Sequence, residues 1–480
     1  MATDYSDLAW IEALRGDPFM YFRGRPAQKK QGAHAESSYV GWLVFCVAVT
    51  FLSAAPVIRA EETTAEVESE LASADPAEIE ESTELDPAEA NEIAEDSETI
   101  EGAVSPDRDR IVVTARKRNE FLQVIPLSVT AFDQTRLEDM GAVEFHDYAR
   151  QVPGLSFVDR GAGRNDIHIR GISPLVGASA VGIYIDGISA ASNSNNPDLN
   201  LYDIKTVQVL RGPQGTLYGE GALGGAILIE TNAPDLSERA FDIDTRYLNQ
   251  GRATSSNRHG YVVNAMVNIP LVEDRLGLRV VAGVKDRPGF IDWIETTNEA
   301  VPIRTHHDQN YEESWNARVA LRFNATEDLT VTARYTHQDL EFGNDNSIGN
   351  GSFGKYVFAS PIAQPGEDTI DQVSLDIDWH FPWFTLNWVT GLHDRGQEFL
   401  VNASLGQHGV LGDRRGGRCG PLEFGLDGEG TTISTEARLS NVTDTRFGAL
   451  DWVAGVYYKD QSQKNSGEQV IRDCDSFLGF

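Results

Sequence analysis

The stretch RGPQGTLYGEGALGGAILIETNAP, residues 211–234, contains six glycines and decides between two classes of protein. Within it, residues 219–224 match the G-x-G-x-x-G pattern of dinucleotide-binding proteins. That pattern binds a pyrophosphate only where it follows a strand and begins a helix. The residues after Gly224 read GAILIETNAP, a β-branched apolar run that predicts another strand. The glycines are therefore interpreted as sites of tight turns and close packing.

Charge is concentrated near the start of the chain. The 480 residues carry a formal net charge of −33, and about half of that excess lies in residues 61–101, which contain no Lys or Arg. Nonspecific binding of nucleic acid needs clustered cations, so this composition argues against a nucleic-acid partner. Residues 61–108 carry few large apolar side chains and are predicted to be a disordered acidic linker, with a marginal helix as the alternative.

Residues 1–60 are interpreted as a secretory signal peptide with an N-terminal extension. Two lysines at 29–30 precede an apolar core, 40–55, and a small residue, Ala60, marks the expected cleavage site. That core is shorter than the ~20 residues of a spanning helix, although a membrane anchor is the alternative. Met20 is a second candidate start. The mature protein is expected to be exported.

Residues 119–233 predict one α+β domain. Asp133 is placed to cap a helix whose apolar face includes Leu137, and Asp186-Gly187 between two apolar runs indicates a turn. Short strands are predicted at DIHIRGI (166–172), GIYIDGISA (182–190) and KTVQVLRG (205–212).

Beyond Pro234 the pattern changes to repeated alternation with a period of two. In SWNARVALRFNA (314–325), Ala317, Val319, Leu321 and Phe323 share one face, and Asn316, Arg318, Ala320 and Arg322 share the other. About nine such strands alternate between short turns and long polar loops, which is typical of a transmembrane β-barrel with a polar lumen. Phe381, Trp383, Phe384 and Trp452 lie near the short turns, where an aromatic girdle is expected. A soluble β-sandwich gives similar alternation and is the alternative.

The order of these motifs resembles the TonB-dependent outer-membrane receptors. IHIRG, VGIYIDGI and the run VQVLRGPQGTLYGEGALGGAILIETNAP, followed by alternating strands, are similar to the plug and barrel of that family. DRIVVTARKR (109–118) resembles the TonB box, and the resemblance covers residues 109–480. Glu220 and Gly221 depart from the family, which commonly has a basic residue followed by Asn or Ser there. The implied fold is an α+β plug domain (119–233) followed by antiparallel transmembrane β-barrel strands (234–480).

The resemblance implies active uptake of a scarce nutrient, such as a ferric siderophore, across the outer membrane of a Gram-negative bacterium. The implied partners are TonB with its inner-membrane energising complex, outer-membrane lipid and a small-molecule substrate; iron chelates, haem, cobalamin and oligosaccharides all fit. No catalytic residue, cofactor or metal site is implied. The family is expected to close its barrel with about twenty-two strands, so the chain is interpreted as a truncated or incomplete receptor. A non-energised porin or adhesin barrel is the alternative function, and an extracellular β-rich hydrolase lacks a recognisable catalytic motif.

Site residues follow from the same resemblance. Ile111, Val112, Val113 and Thr114 are expected to pair with a TonB strand by β-augmentation; the alternative is an ordinary first strand of the plug. Arg170 and Arg211 match plug arginines that meet carboxylates on the barrel wall, with Glu436 as a candidate partner. Glu436 lining a wet lumen is the alternative.

The outward loops supply the remaining candidates. Arg164, Asn165, Asn195 and Asn196 are expected to face the ligand from plug loops. Cys419 and Cys474 lie in successive long loops on the same oxidising side and form a candidate disulfide. His306 and His307, adjacent in a polar loop, are interpreted as solvated rather than metal-binding.

Overall fold

A computed structural model provides the structure of the protein, and it carries side chains. The described residues are 111–118, 120–123, 125–159, 161, 163–172, 179–190, 196–219, 221–253, 259–296, 301–344, 354–402, 422–441 and 452–471. The predicted signal peptide, the acidic linker, Asn195, Cys419 and Cys474 lie outside the described residues. No helix among the residues described is both long and apolar enough to cross a membrane.

The first part of the described chain is a small α+β domain, which we call the plug. Its main sheet has five strands, in the order β3-β8-β9-β6-β7, with two two-stranded sheets beside it, β1-β2 and β4-β5. The strands are β1 Val112–Val113, β2 Glu120–Phe121, β3 Val129–Asp133, β4 Leu155–Asp159, β5 Asn165–Ile169, β6 Val181–Ile185, β7 Ile188–Ser189, β8 Ile204–Arg211 and β9 Gly225–Thr231. The helices are α1 Gln134–Asp139, α2 Phe145–Ala149 and α3 Gly215–Tyr218.

Local sequence signals explain several of these elements. The Asp133 carboxylate accepts a hydrogen bond from the Arg136 amide at 2.8 Å and caps α1, as predicted. Asp186 and Gly187 adopt positive φ angles of 49° and 82° in the turn between β6 and β7, which also confirms the prediction. Strand β9 follows the glycine-rich stretch directly, so the strand–helix order of a dinucleotide site is not formed.

The second part of the described chain is a nine-stranded antiparallel sheet, which we call the wall. Its strands are ordered β10-β11-β12-β15-β16-β18-β19-β20-β21, in agreement with the nine strands expected. They are β10 Ala240–Asn249, β11 His259–Val272, β12 Leu276–Arg287, β15 Glu312–Asn324, β16 Leu329–Phe342, β18 Gly366–His380, β19 Phe384–Asn402, β20 Leu422–Asn441 and β21 Val453–Ile471.

The wall has one polar face and one apolar face. Arg318 faces the plug and its guanidinium donates to the Asp203 carbonyl oxygen, whereas Leu321 and Phe323 on the opposite face are each 41% exposed. At the short-turn end, Phe381 stacks on Phe384 with ring centroids 4.6 Å apart, beside Trp379. An exposed apolar band ending in aromatic side chains is the arrangement that lipid requires of a membrane strand.

Two of the long loops are more ordered than the sequence suggested. Strands β13 Asp292–Thr296 and β14 Pro302–His306 form a hairpin, and β17 Val357–Ser360 pairs with β13 in parallel. The Trp293 ring is buried between them and stacks on His306 at 4.4 Å. The sequence did not predict this sheet, because these loops are polar and glycine-rich and their few apolar residues do not alternate over a sustained run.

Candidate functional site: a docked coupling segment and two plug–wall contacts

The segment predicted to pair with TonB lies against the plug. Strand β1 pairs antiparallel with β2, so that Val112 lies opposite Phe121 and Val113 opposite Glu120. Val113 and Ala115 are fully buried, whereas Val112 is 42% exposed. We call residues 111–118 the docked segment. In this conformation the segment is a first strand of the plug with one exposed apolar side chain, and its pairing with TonB stays a prediction.

The docked segment is fixed by an apolar cluster and by polar contacts. Val113 and Ala115 pack with a cluster of plug residues: Ile125, Tyr184, Leu210, Tyr218, Ala222, Ala226 and Leu228. The Thr114 amide donates to Gln208 Oε1 at 2.9 Å, and the Tyr218 hydroxyl donates to the Thr114 carbonyl at 3.2 Å. The Thr114 hydroxyl also donates to Glu230. These bonds satisfy backbone groups that any competing strand would need.

Lys117 connects the docked segment to the wall. Its ammonium lies 2.9 Å from Glu436 Oε2 and 4.0 Å from the centroid of the Tyr218 ring, an ion pair with a cation–π contact. Burial lowers the pKa of Lys117 to about 8, with the Glu436 carboxylate opposing that shift and Arg438 adding to it. We call the Lys117–Glu436 pair the latch.

The partners expected for Glu436 were wrong. Its carboxylate pairs with Lys117 and lies 3.6 Å from Arg438, on its own strand. Arg211 donates instead to the Pro153 carbonyl at 3.0 Å, within the plug. Arg170 has a positive φ of 54°, and its guanidinium lies against Gly212, where an added Cβ would be 2.7 Å from Nη1. The two arginines therefore contact plug backbone near the glycine-rich turn, while Glu436 contacts the docked segment.

The predicted ligand-facing residues come together but are buried. Asn196 Nδ2 donates to the Asn165 carbonyl at 2.9 Å, and both side chains are about 1% exposed. The Arg164 guanidinium lies 4.6 Å from the Phe399 ring of the wall. Beside them, Arg395 pairs with Asp368 and donates to the Gly163 carbonyl at 2.9 Å. In this conformation Asn165 and Asn196 are bonded to each other within the plug and Arg164 contacts the wall, which differs from the ligand-facing role expected.

A second plug–wall contact was not found from the sequence. Glu144, at the start of α2, pairs with Lys285 at 2.8 Å and with Arg287 at 2.6 Å, and both cations also contact Glu312. Lys285 and Arg287 both lie on the polar face of β12, at the end that leads into a long loop. Two cations at this place were the one sequence feature that could have indicated the contact. On the plug side, His146 lies 3.4 Å from Asp159 and 3.9 Å from Asp198. We call these residues the apical cluster.

Charges in the apical cluster shift the pKa values of its plug members. Burial opposes protonation of His146, but the nearby carboxylates of Asp159, Asp198 and Glu144 outweigh it and raise the pKa of His146 to about 9. Burial and the nearby Glu144 carboxylate raise the pKa of Asp198 to about 6. Burial raises the pKa of Glu144, but Lys285 and Arg287 overcome that effect and lower it below its usual range.

The stability of the plug is expected to fall as pH rises from 6.5 towards 9. His146 has a folded-state pKa of about 9 against 6.5 unfolded, so its contribution is complete below pH 6.5 and is lost through pH 9. That contribution amounts to at most about 3 kcal/mol. Scanning calorimetry at both pH values measures it, and His146→Gln is the control, since it removes this part of the pH dependence. Equal pH dependence in the two proteins would contradict the assignment.

Comparisons with known proteins agree with this architecture. Residues 122–226 match the family model described as the TonB-dependent receptor plug domain. Over 139 residues the chain is 35% identical to a pesticin receptor of Yersinia pestis, covering 28% of this chain and 20% of that protein. Over 210 residues it is 27% identical to a hemin receptor of Yersinia pestis, covering 42% of this chain and 30% of that protein.

Among solved structures, the ferric yersiniabactin uptake receptor of Yersinia pestis is similar in fold. Its TM-score is 0.58 at 19% sequence identity, covering 72% of this chain and 50% of that one. The pyoverdine outer-membrane receptor of Pseudomonas aeruginosa has a TM-score of 0.52 at 17% sequence identity, covering 75% of this chain and 49% of that one. The chain thus spans about half the length of these receptors. Plug and wall together have the fold of TonB-dependent outer-membrane receptors, and residues 122–226 are similar to the plug domain of that family.

Proposed function

We propose that the chain belongs to a receptor that takes up a ferric chelate across the outer membrane, with energy transmitted through TonB. The observation that carries this proposal is the docked segment, a short apolar strand with one exposed and one buried valine, tied to plug and wall at once. Such a strand provides main-chain hydrogen bonds to a partner strand once it leaves the plug.

The contacts of the docked segment suggest how coupling works. A TonB strand that pairs with residues 111–114 has to displace the contacts to Gln208 and Tyr218 and expose the buried Val113. Force applied there is transmitted to β8 and β9, which form the middle of the plug sheet. Lys117 is then drawn from Glu436, so movement of the segment and loosening of the plug from the wall are coupled.

The relatives support an iron chelate as the substrate class. Their names include receptors for hemin and for ferric yersiniabactin. No catalytic step is assigned to the chain, and TonB, its inner-membrane complex and outer-membrane lipid are the proposed partners.

A transport panel tests the proposal. The complete reading frame that encodes this chain is expressed in a Gram-negative host lacking its own siderophore receptors, and uptake of ⁵⁵Fe is measured from ferric yersiniabactin, ferripyoverdine and hemin. We expect uptake of at least one chelate, abolished when the host's TonB is deleted. Uptake that persists without TonB would indicate a passive porin and contradict the proposal.

A further inference from the structure

Three arginines of the wall converge on one small residue. Arg279 of β12 and Arg334 of β16 each lie on a strand beside Ala320 of β15, and the register places both directly opposite it. Arg318 lies two residues from Ala320 on the same face. The three guanidinium groups therefore surround the methyl group of Ala320. A larger side chain at this position would fill the space between them.

The plug faces this group with fewer carboxylates than the wall has cations. Arg279 Nε donates to Asp203 Oδ2 at 2.9 Å, and Arg279 Nη2 pairs with Asp203 Oδ1. Both oxygens of the Asp203 carboxylate are therefore bonded to Arg279. Arg318 Nη2 donates to the Asp203 carbonyl at 3.3 Å, and Arg334 Nε lies 3.9 Å from Asp186. Asp186 is itself held by the Thr231 amide and hydroxyl, at 2.9 Å each. Arg318 Nη2 also lies 4.0 Å from Asp203 Oδ2, so Arg318 shares that carboxylate with Arg279 and has none of its own.

A cavity of about 10 Å³ lies between these groups. Its lining includes Asp203, Thr231, Asn232, Arg279, Arg318 and Arg334, so three arginines line it with a single aspartate. Within the described part of the chain, Arg318 Nε and Nη1 and Arg334 Nε are buried and have no hydrogen-bond partner. Unpaired charged donors are costly in a buried site, so an acceptor is expected among them.

We propose that this cavity binds one small inorganic anion, of the size and charge of chloride, between wall and plug. Its volume fits a single particle about the size of a water molecule or a chloride ion. A chloride accepts hydrogen bonds from several donors at once and adds the negative charge that the lining lacks, whereas water adds none. Asp376 also acts on Arg334, but it is shared with Arg438 and Asp378 and lies outside the lining. This site is independent of the substrate and of TonB.

Halide replacement tests the proposal on the receptor purified from outer membranes. Crystals grown in bromide instead of chloride should show an anomalous peak within hydrogen-bonding distance of Arg318 Nη1 and Arg334 Nε. Ala320→Val keeps all three arginines and fills the cavity, so its crystals should lack the peak. Ala333→Val, on the opposite face of the wall, is the matched control and should retain it.

Thermal unfolding distinguishes a site that the fold builds for an anion from a place that holds an adventitious ion only. At fixed ionic strength, replacing gluconate with chloride should raise the unfolding midpoint of the wild-type receptor in a saturable way, and Ala320→Val should lose that response. A wild-type map without anomalous signal would overturn the proposal, and so would a peak that persists in Ala320→Val. A peak with no saturable shift of the midpoint would mean an adventitious ion only and would also overturn it.

Discussion

Replacing Glu436 with Gln is expected to raise the fraction of receptor molecules in which the docked segment has left the plug. The change leaves the buried Lys117 ammonium beside Arg438 without its carboxylate. Loss of the Glu436 charge lowers the pKa of Lys117 further below its value of about 8, so that Lys117 can lose its proton at pH 7. The cost is then about 1–2 kcal/mol, and the undocked fraction should rise by about tenfold. Hydrogen exchange of the amides at residues 113–115 measures this directly, because the Thr114 amide is protected by Gln208.

Two variants give this prediction its controls. Glu327→Gln makes the same chemical change on an exposed turn of the wall and should leave exchange at residues 113–115 unchanged. Exchanging the two charges, with Lys117→Glu and Glu436→Lys together, should restore much of the protection because the pair is re-formed. Unchanged exchange in Glu436→Gln would show that the apolar cluster alone holds the segment.

Val112→Pro is expected to abolish uptake while leaving binding of the chelate intact. Proline has no N–H and cannot complete a strand ladder, so a TonB strand would lose a main-chain bond at the exposed position of the segment. Val112 is 42% exposed and is not part of the buried cluster, so the plug should tolerate the change. Energised uptake of ⁵⁵Fe-chelate should fall to the level of cells without TonB.

Val112→Thr is the matched control for this prediction. Threonine has the shape of valine and keeps the backbone donor, so uptake should remain close to the wild-type rate. Equilibrium binding of the chelate to purified receptor should be the same in all three proteins, since Val112 lies far along the chain from the plug loops. Normal uptake by Val112→Pro would exclude pairing at residue 112.

Most of the fold could be predicted from the sequence because the patterns that indicate helices, turns and strands are local. Asp133 caps the helix that begins at the next residue by accepting from the amide three residues on, and Asp186-Gly187 forms the turn between two adjacent strands. Alternation along residues 314–325 assigns Arg318 to the plug face and Leu321 to the opposite face without knowledge of any neighbour. The glycine-rich stretch was interpreted correctly because the residues after it favour a strand.

The site was less predictable because its contacts join distant parts of the chain. Lys117 and Glu436 are 319 residues apart, and no local pattern couples them. Arg170 and Arg211 were assigned to the wall by resemblance, whereas the structure turns both onto plug backbone. The apical cluster depends on α2 meeting the long-loop end of β12, which only the packing of plug against wall defines.

The most direct test of the account is where the docked segment goes during transport. A photo-crosslinking amino acid at position 112 is introduced into the receptor in living cells, with the same residue at Val158, another exposed plug position, as the control. We predict a crosslink to TonB from position 112 that grows when the chelate is added, and none from position 158. No crosslink from position 112 in cells that take up the chelate would contradict the assignment of this segment to energy coupling.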